Sequence, residues 1–412
     1  MRVLIHDYGG YPFSAQLARS LAERGHDLHY LYAGGIKTPR GRVAAEGGDA
    51  GNVTYQAVVV SGEYHRRAGI RRLAQERAYG ALLGEEIKRR HPDAVISANT
   101  PLDAQSIALA ATRKADGAFV HWLQDVYSLA VSNLLRRRLP GLGRLIGARF
   151  ARLERRILRE ADAVVLIAED FMPGMRRWGV AESGITVIEN WTPLDEVTPR
   201  PKENEWAERH GLARTPVFMY AGTLGRKHDP GLFLRLADEM PQTRVVVIAE
   251  GGGADQLTAT RPSRINVTVL PLPPASDLAD VLGSSDVLVV ILHEDASGFS
   301  VPSKVLTYLA AGRPILGSLP LGNLGARTIL EANAGMVVEP GDDQGFIAAA
   351  HRMADDPEYR ASAGRNAREY AERAFDIAAK TDRFETVLEA ATQRAHSHRR
   401  ERADTATATR ES

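Results

Sequence analysis

Residues 286–319 combine an apolar run, a glycine- and serine-containing loop and a helix start, an arrangement that can bind a phosphate. The run at 287–292 is typical of a buried parallel strand. Pro302 suits a first helical turn, where proline loses no hydrogen bond, and Ser300 can cap it. Amides of that turn and the Lys304 ammonium would direct positive charge at a ligand. Strand–helix–strand connections that bind no ligand use the same residue types. Spacing alone therefore does not decide between a phosphate site and an ordinary connection.

Two other loops contain glycines at the end of an apolar run. Gly9 and Gly10 follow the first run and would let a backbone approach a ligand closely, although a tight turn is the commoner reason for such a pair. Gly222 precedes Arg226 and Lys227, and glycine beside two cations suits an anion. Basic residues on a loop are otherwise simply solvated.

His121 and Asp125 follow the apolar run 118–120 and can face a ligand at the end of that strand. A buried core histidine and a helix-capping aspartate are the ordinary alternatives. The glycines at 251–253 do not form the GxGxxG pattern of dinucleotide-binding proteins, and neither does the loop after the first run. An oxidoreductase is therefore disfavoured.

Composition limits the classes of function. The chain has 412 residues, 44% hydrophobic and 25% charged, which predicts a globular protein of two to three domains. A net charge of +1 gives no case for nucleic acid. The absence of cysteine excludes disulfides, and with no Asp-x-Asp or HExxH pattern we expect no metal site. No apolar run reaches membrane-spanning length and residues 1–20 lack a signal pattern, which favours a cytoplasmic location.

Short apolar runs alternate with helical patterns in two halves of the chain, which predicts two doubly wound parallel sheets with a ligand cleft between them. Polar, low-aromatic composition from residue 394 predicts a disordered tail. The expected boundaries are a Rossmann-like first domain at 1–190, a linker at 191–203, a second such domain at 204–375, a helix at 376–393 and the tail at 394–412.

Residues 134–159 are rich in arginine, with apolar residues near helical spacing. An amphipathic helix with solvated arginines explains this pattern. A surface that docks on anionic lipid explains it equally well, and would place the protein peripherally on the inner face of the plasma membrane.

The string SVPSKVLTYLAAGRPIL, residues 300–316, resembles the nucleotide-binding motif of bacterial retaining glycosyltransferases of family four, in the O-antigen, capsule and exopolysaccharide (colanic-acid-type) subgroup. The resemblance implies an α/β GT-B fold, in which the C-terminal helix packs back on the first domain. It also implies a metal-independent hexosyltransferase without cofactor. The implied reaction moves a sugar, an N-acetylated or deoxy hexose, from a UDP-sugar to a saccharide or polyprenyl-linked acceptor in cell-surface polysaccharide synthesis.

The resemblance also assigns roles to residues. Lys227 and Lys304 would neutralise the leaving diphosphate, with Arg226 in support, and His121 or Asp125 would contact the transferred sugar or the acceptor. The segment 298–303 and the glycine loops would line the donor diphosphate, and residues after two further strands would contact the base and ribose. The diphosphate set is Gly9, Gly10, Arg226, Gly222, Thr223, Gly298, Phe299, Ser300, Val301, Pro302 and Ser303; the nucleoside set is Glu250, Gly251, Leu270, Pro271, Leu272 and Thr307.

The chain departs from the family pattern at two glutamates. Thr307 stands where most members hold the ribose hydroxyls with glutamate, and Phe299 stands at the other position, with Glu294 and Asp295 nearby. Ribose binding is therefore open. Two alternatives remain: a UDP-sugar 2-epimerase of the same fold, and a non-catalytic, membrane-docked assembly partner.

Overall fold

The computed structural model describes residues 1–36, 38, 40–60, 69–128, 142–225, 228–260, 266–293 and 303–411, with the backbone alone at 69–70, 142 and 402–411. The chain divides into two compact units. An N-terminal unit combines Met1–Asn190 with Ile377–Ser412, and a C-terminal unit comprises Trp191–Asp376.

The described part of the N-terminal unit is built on a seven-stranded sheet of order β3-β2-β1-β4-β5-β6-β7, in which every pairing is parallel. Strand order reverses between β1 and β4, and ligands of such sheets bind at the carboxyl ends of the strands flanking that point. The strands are β1 (Arg2–Asp7), β2 (Asp27–Ala33), β3 (Val53–Val58), β4 (Ala94–Ala98), β5 (Ala118–Leu123), β6 (Ala163–Leu166) and β7 (Ile185–Val187).

Helices cover this sheet because its central strands are apolar along their whole length and need burial on both faces. Leu4, Val95 and Phe119 are fully buried in one of its hydrophobic clusters. The helices are α1 (Pro12–Glu23), α2 (Gly69–Arg90), α3 (Leu102–Lys114), α4 (Leu142–Glu160) and α5 (Met172–Trp178).

The C-terminal unit contains a second all-parallel sheet, of order β10-β9-β8-β11-β12-β13, so its strand order reverses between β8 and β11. Both sheets share the Rossmann order, and the expectation of two doubly wound parallel sheets is confirmed. The strands are β8 (Val217–Thr223), β9 (Arg244–Glu250), β10 (Val267–Leu270), β11 (Val287–Ile291), β12 (Ile315–Ser318) and β13 (Gly335–Val338).

Helix ends in the C-terminal unit follow local capping chemistry. Side chains of Asn204, Asn323 and Asp342 accept a hydrogen bond from an amide of the first turn that follows each of them. Gly312, with φ of 65°, follows the helix of the predicted phosphate motif and allows its left-handed end. The helices are α6 (Glu205–Arg209), α7 (Gly231–Glu239), α8 (Gly252–Thr260), α9 (Leu278–Gly283), α10 (Lys304–Ala310), α11 (Leu324–Glu331), α12 (Asp343–Asp355) and α13 (Pro357–Ala374).

The last helix, α14 (Ile377–Glu411), packs on α1 and β5 of the N-terminal unit. Arg24 bonds both Asp382 and Glu385 at 2.5 Å, and the buried Thr381 hydroxyl donates to Ser20. The phenyl ring of Phe384 lies 4.7 Å from the Trp122 ring, centre to centre. This helix therefore completes the hydrophobic core of the first unit.

The expectations of a helix end at 393 and of disorder from residue 394 are wrong. Arg394 donates to the carbonyls of Asp162 and Ser183, and Ala395 is buried. The tail's alanine, arginine and glutamate favour helix despite its polarity. Among the described helices, none is both long and apolar enough to cross a membrane.

Candidate functional site

The carboxylate of Asp7, at the end of β1, organises the loop at the switch point of the first sheet. It accepts hydrogen bonds from the amides of Gly9 (2.9 Å) and Gly10 (3.3 Å). The Ser14 hydroxyl of α1 donates at 2.5 Å, and Asn99, which follows β4, donates through its amide nitrogen at 3.2 Å. Gly10 has φ of 69°, a backbone conformation that glycine adopts without strain. One carboxylate thus ties the end of β1 to the end of β4.

Burial raises the pKa of the Asp7 carboxyl to about 6, and the bonds from Ser14, Gly9 and Asn99 counteract that shift. Its donors are neutral amides and a hydroxyl. At neutral pH the site therefore contains a negative charge that hydrogen bonds, rather than a cation, stabilise.

His6, also on β1, lies between Tyr79 and Thr100. Its Nε2 is 2.7 Å from the Tyr79 hydroxyl and its Nδ1 is 3.0 Å from the Thr100 hydroxyl, which itself donates to the carbonyl of Ala98. Burial lowers the pKa of His6 to about 3, so the ring is neutral. Since Thr100 uses its proton on Ala98, Nδ1 must donate and Nε2 must accept. This bonding fixes the end of β4.

A cavity of about 250 Å³ opens at the carboxyl ends of β1, β4 and β5. Gly9, which follows β1, and His121 and Asp125, which lie in and just after β5, all line it. The structure therefore brings together three of the residues predicted from the sequence. The other lining residues are Tyr8, Tyr11, Ile36, Thr38, Arg72, Asn99, Thr100, Pro101, Leu102, Gln105, Trp122, Leu123, Gln124, Tyr127 and Glu154.

His121 is a lining residue whose ring nitrogen Nδ1 has no hydrogen-bond partner in the described part of the chain. The residue is 3% exposed. Burial lowers its pKa to about 3, so the neutral ring offers one donor and one acceptor. Because an unsatisfied buried polar atom costs about 1–3 kcal/mol, a ligand that bonds this nitrogen would gain from doing so.

Sequence reasoning missed Glu154 of α4, which lines the same cavity. Its carboxylate accepts from the amides of Tyr127 (2.8 Å) and Ser128 (3.0 Å), and burial raises its pKa. Arg72, another lining residue, donates to Glu76 at 2.7 Å and to the Tyr127 hydroxyl at 3.2 Å. The available signal for Glu154 was its position: an acid on the apolar side of an arginine-rich helix.

In the C-terminal unit, Lys304 lies against the end of β8. Its ammonium nitrogen is 5.0 Å from the centre of the Tyr220 ring, a cation–π distance. Gly222 has φ of 135°, and a Cβ there would lie 3.2 Å from Cε of Lys304. The Tyr220 hydroxyl donates to the Thr223 carbonyl at 2.7 Å. The structure thus brings Lys304 against the end of β8 at Gly222, next to Thr223, although Lys304 lies far from both in sequence.

The helix α10 differs from the expected anion-binding helix because it has only seven residues, beginning at Lys304. Ser303 precedes it as an exposed residue. Thr307, on the same helix, has its hydroxyl 3.5 Å from that of Thr192. Positive charge at this site therefore depends on the Lys304 side chain more than on a helix dipole.

The loop after β9 borders the end of β8. The amide of Leu224 donates to the carbonyl of Glu250 at 2.9 Å, and Gly251 has φ of 114°. Leu270 ends β10. Of the two residues that follow, Pro271 is exposed and Leu272 is half-buried.

Several predicted residues lie outside the described part of the chain: Arg226, Lys227, Gly298, Phe299, Ser300, Val301, Pro302, Glu294 and Asp295. Among the residues that the structure does describe, no group of three or more histidines and acids could hold a metal ion.

The arginine-rich segment is described from residue 142 as α4. Its apolar side faces the unit's own core, since Ile157 and Leu158 are buried and Phe150 and Leu153 pack on the same cluster. Leu145 is an exception, 70% exposed. The outward side is therefore the arginine side. Its exposed arginines are Arg144, Arg149, Arg152, Arg155, Arg156 and Arg159.

Two family models match the chain: "Glycosyl transferase 4-like domain" over residues 9–191 and "Glycosyl transferases group 1" over 215–356. A probable glycosyltransferase, WbjE of Pseudomonas aeruginosa, is 26% identical over 45% of this chain and 48% of its own. A D-inositol 3-phosphate glycosyltransferase of Streptomyces avermitilis is 27% identical over 60% of this chain and 56% of its own. The chain thus spans about half the length of these curated relatives.

Solved structures show the same architecture. Sucrose-phosphate synthase of Thermosynechococcus elongatus superposes with a TM-score of 0.68 at 16% identity, covering 94% of this chain and 98% of the other. Anabaena HepE, solved with UDP, superposes with a TM-score of 0.68 at 15% identity, covering 94% of this chain and 100% of the other. At these identities the likeness concerns the fold, which is GT-B: two parallel-sheet, Rossmann-like domains.

Proposed function

This chain is built from two glycosyltransferase domains, a 4-like domain at 9–191 and a group 1 domain at 215–356, and on that premise we propose that it transfers a sugar from a UDP-sugar to a hydroxyl group of a saccharide. The acceptor is a free or polyprenyl-linked saccharide. The anomeric configuration of the sugar is retained, and the product belongs to a cell-surface polysaccharide.

The observation that carries this proposal is the position of Lys304. It lies at the carboxyl end of β8, beside the point where the strand order of the second sheet reverses. Nucleotides of Rossmann-like sheets bind there, and an ammonium group at that place suits a diphosphate. The absent side chain of Gly222 makes room for the lysine stem.

Support for uridine comes from a structural neighbour, because HepE was solved with UDP and with UDP-glucose. The transferred sugar is proposed to be an N-acetylated or deoxy hexose, on the resemblance of residues 300–316 to enzymes of surface polysaccharide assembly.

The protein's main catalytic task would be to stabilise negative charge on the departing UDP. Lys304 and Lys227 are proposed to supply the positive charge that balances it, so that turnover needs no metal ion. His121 would bond a hydroxyl of the reacting sugar or acceptor through Nδ1, and Asp125 lines the same cavity. Neutral His121 orients without adding charge, since burial lowers its pKa to about 3.

The experiment is product analysis with UDP-sugars and saccharide acceptors, in buffer containing EDTA. We expect UDP and a new glycoside. A free epimerised UDP-sugar would instead identify an epimerase, and an unchanged donor with every acceptor would identify a non-catalytic partner. Loss of activity in EDTA with recovery on Mg²⁺ or Mn²⁺ would overturn metal independence alone.

Docking on anionic lipid through α4 is part of the proposal, since a lipid-linked acceptor lies at a membrane. The supporting observation is the outward arginine side of α4, on which Arg144, Arg152 and Arg159 have no ion pair with any described residue. Arginines near headgroups contribute about 1 kcal/mol each, which makes several of them sufficient for reversible binding.

A further inference from the structure

We propose that Tyr308 is the positioning residue for Lys304: its hydroxyl group fastens α10 to the end of β8 and so holds the Lys304 ammonium in place for the donor diphosphate. This role rests on the proposed function, which it deepens by naming the residue that places the lysine. Tyr308 is 1% exposed, so it acts on a ligand only through the helix that it shares with Lys304.

The Tyr308 hydroxyl bonds both backbone groups of one residue of β8. The amide of Ala221 donates to Oη of Tyr308 at 2.9 Å, and Oη donates to the carbonyl of Ala221 at 3.2 Å. A phenol group has one proton to donate and lone pairs that accept, so it makes both bonds at once. Burial raises the pKa of Tyr308, so the hydroxyl keeps that proton. Two hydrogen bonds therefore connect α10 to β8 at a single point.

Ala221 lies beyond the point where pairing between β8 and β11 stops. Among the described residues, β8 pairs with β11 at Phe218 and Met219 only, whereas its pairing with β9 continues to Thr223. The two central strands therefore separate beyond Met219, at the switch point of the second sheet. Whatever lies between them there must supply the hydrogen bonds that the sheet no longer provides.

The backbone of Ala221 is directed at the β11 side of β8. The carbonyl of Val217, at the start of β8, accepts from the amide of Asp286, which precedes β11. Alternate residues of a central strand bond its two neighbours, and Ala221 lies an even number of positions after Val217, so it faces the same side. The Tyr308 hydroxyl thus takes the place of a β11 backbone. Without the hydroxyl, a buried amide and carbonyl would lose their partner, which is unfavourable.

The neighbours of Ala221 in the chain are the residues that contact Lys304. The ring of Tyr220 lies 5.0 Å from the ammonium nitrogen, and a Cβ on Gly222 would lie 3.2 Å from Cε of the lysine. Lys304 and Tyr308 are one turn apart on the same side of α10, because residues four apart on a helix are neighbours. If the Tyr308 hydroxyl were lost, α10 could shift along β8, and the ammonium would move with it.

The test is Tyr308→Phe in the full-length protein, which keeps the ring and removes the hydroxyl. We expect this variant to bind UDP about fivefold more weakly in isothermal calorimetry, close to the net worth of one hydrogen bond. Uridine carries no phosphate and should bind both proteins equally in saturation-transfer NMR. Unchanged UDP affinity would overturn the inference. Equal weakening of uridine would also overturn it, since the hydroxyl would then only maintain the fold of the site.

A double-mutant cycle determines whether Tyr308 acts through Lys304. In a protein that already carries Lys304→Ala, Tyr308→Phe should change UDP affinity little, because no ammonium remains to be misplaced. The same fivefold weakening in both backgrounds would contradict the role of Tyr308.

The matched control is Thr243→Val. It removes another buried hydroxyl of the C-terminal unit, which donates to the carbonyl of Met240 at 2.9 Å just before the start of β9. This variant should lose stability and keep its UDP affinity. A loss of affinity as large as that of Tyr308→Phe would attribute both effects to stability and overturn the inference.

Amide hydrogen exchange covers the case in which Tyr308→Phe does not fold. Coupling between two sites is reciprocal, so saturating UDP should slow exchange at Ala221 in the unaltered protein but not in Lys304→Ala. Exchange at Ala221 that UDP leaves unchanged, or slows equally in both proteins, would overturn the inference. Absence of UDP binding by the unaltered protein refutes the proposed function, whereas UDP binding that does not respond to Tyr308→Phe refutes this inference alone.

Discussion

Under the proposed function, Lys304 is the described residue on which we expect donor binding to depend most. Its ammonium is placed by the Tyr220 ring and by the missing side chain of Gly222. We expect Lys304→Ala to weaken UDP binding by about 1.5–3 kcal/mol, the range for a hydrogen bond to a charged group. Isothermal calorimetry with UDP measures this change.

A matched control is Lys88→Ala, which removes an exposed lysine of α2 in the other unit and should leave UDP affinity unchanged. Equal UDP affinity in Lys304→Ala and in the unaltered protein would show that the diphosphate lies elsewhere.

Asp7 makes stability depend on pH in a direction opposite to that of an ordinary salt-bridged acid. Burial raises its pKa from 3.8 to about 6, so the folded state binds a proton more tightly than the unfolded chain does. This contribution to stability is therefore lost as the pH rises from about 4 to about 6. Urea unfolding at pH 4.5 and 8 should show the protein losing roughly 2 kcal/mol relative to Asp7→Asn across that range. A difference between the two proteins that does not change with pH would contradict the raised pKa.

Site residues that directly follow a single strand were predictable from the sequence, whereas residues that act through contact with another element were not. Gly9, His121 and Asp125 were each found at the end of an apolar run, and the structure joins them at one cavity. Asn99 and Glu154 were missed because their roles depend on elements distant in sequence: Asn99 bonds Asp7 of β1, and Glu154 bonds the amides that follow β5. The switch-point rule, applied to β1 and β4, would have identified Asn99.

At the scale of elements, α4 shows that a periodic pattern can predict a helix without identifying what the helix packs against. Helical spacing predicted an amphipathic helix, and the apolar side packs on the unit's own core. Membrane contact through the described part of α4 would therefore be made by arginines, with Leu145 as its one strongly exposed large apolar residue. The sequence could not decide this, because an apolar stripe does not state what covers it.

We expect the protein to sediment with acidic liposomes at low salt and to be released near 0.5 M salt, where the Debye length falls to roughly 4 Å. Replacement of Arg144, Arg152 and Arg159 by glutamine should remove most of this binding. The control replaces Arg209, Arg365 and Arg373, arginines of the C-terminal unit that are also exposed. Equal sedimentation with neutral and acidic liposomes would mean that α4 is only a solvated surface.

Secondary structure was hardest to predict where tertiary contacts override local pattern. The short strand β7, Ile185–Val187, has no long apolar run, and pairing with β6 creates it. The extension of α14 past residue 393 depends on Arg394 reaching carbonyls of a distant segment. Strands with continuous apolar runs, such as β11, were predicted because burial on both faces demands that composition.

At the scale of the whole molecule, the N-terminal unit is discontinuous in sequence and α14 is part of its core. Phe384 and Leu388 are fully buried, and Phe384 packs on Trp122 of β5. A chain that ends at Asp376 should therefore lose the cooperative unfolding transition of the N-terminal unit, because losing a buried aromatic side chain alone costs about 3–5 kcal/mol.

A chain that ends at Glu401 keeps those contacts and serves as the control. Calorimetry of both truncated chains measures the two unfolding transitions. An N-terminal unit that melts normally without α14 would show that the helix is an accessory and not part of the fold.

The same discontinuity affects how the protein is made. The ribosome completes most of the first sheet early, yet the helix that covers β5 emerges only after the whole of Trp191–Asp376. At about 5–20 residues per second, the nascent sheet waits roughly ten to forty seconds with Trp122 uncovered. The second unit is continuous and can fold first. During synthesis the N-terminal unit would thus be the natural client for a chaperone, although its residues are translated first.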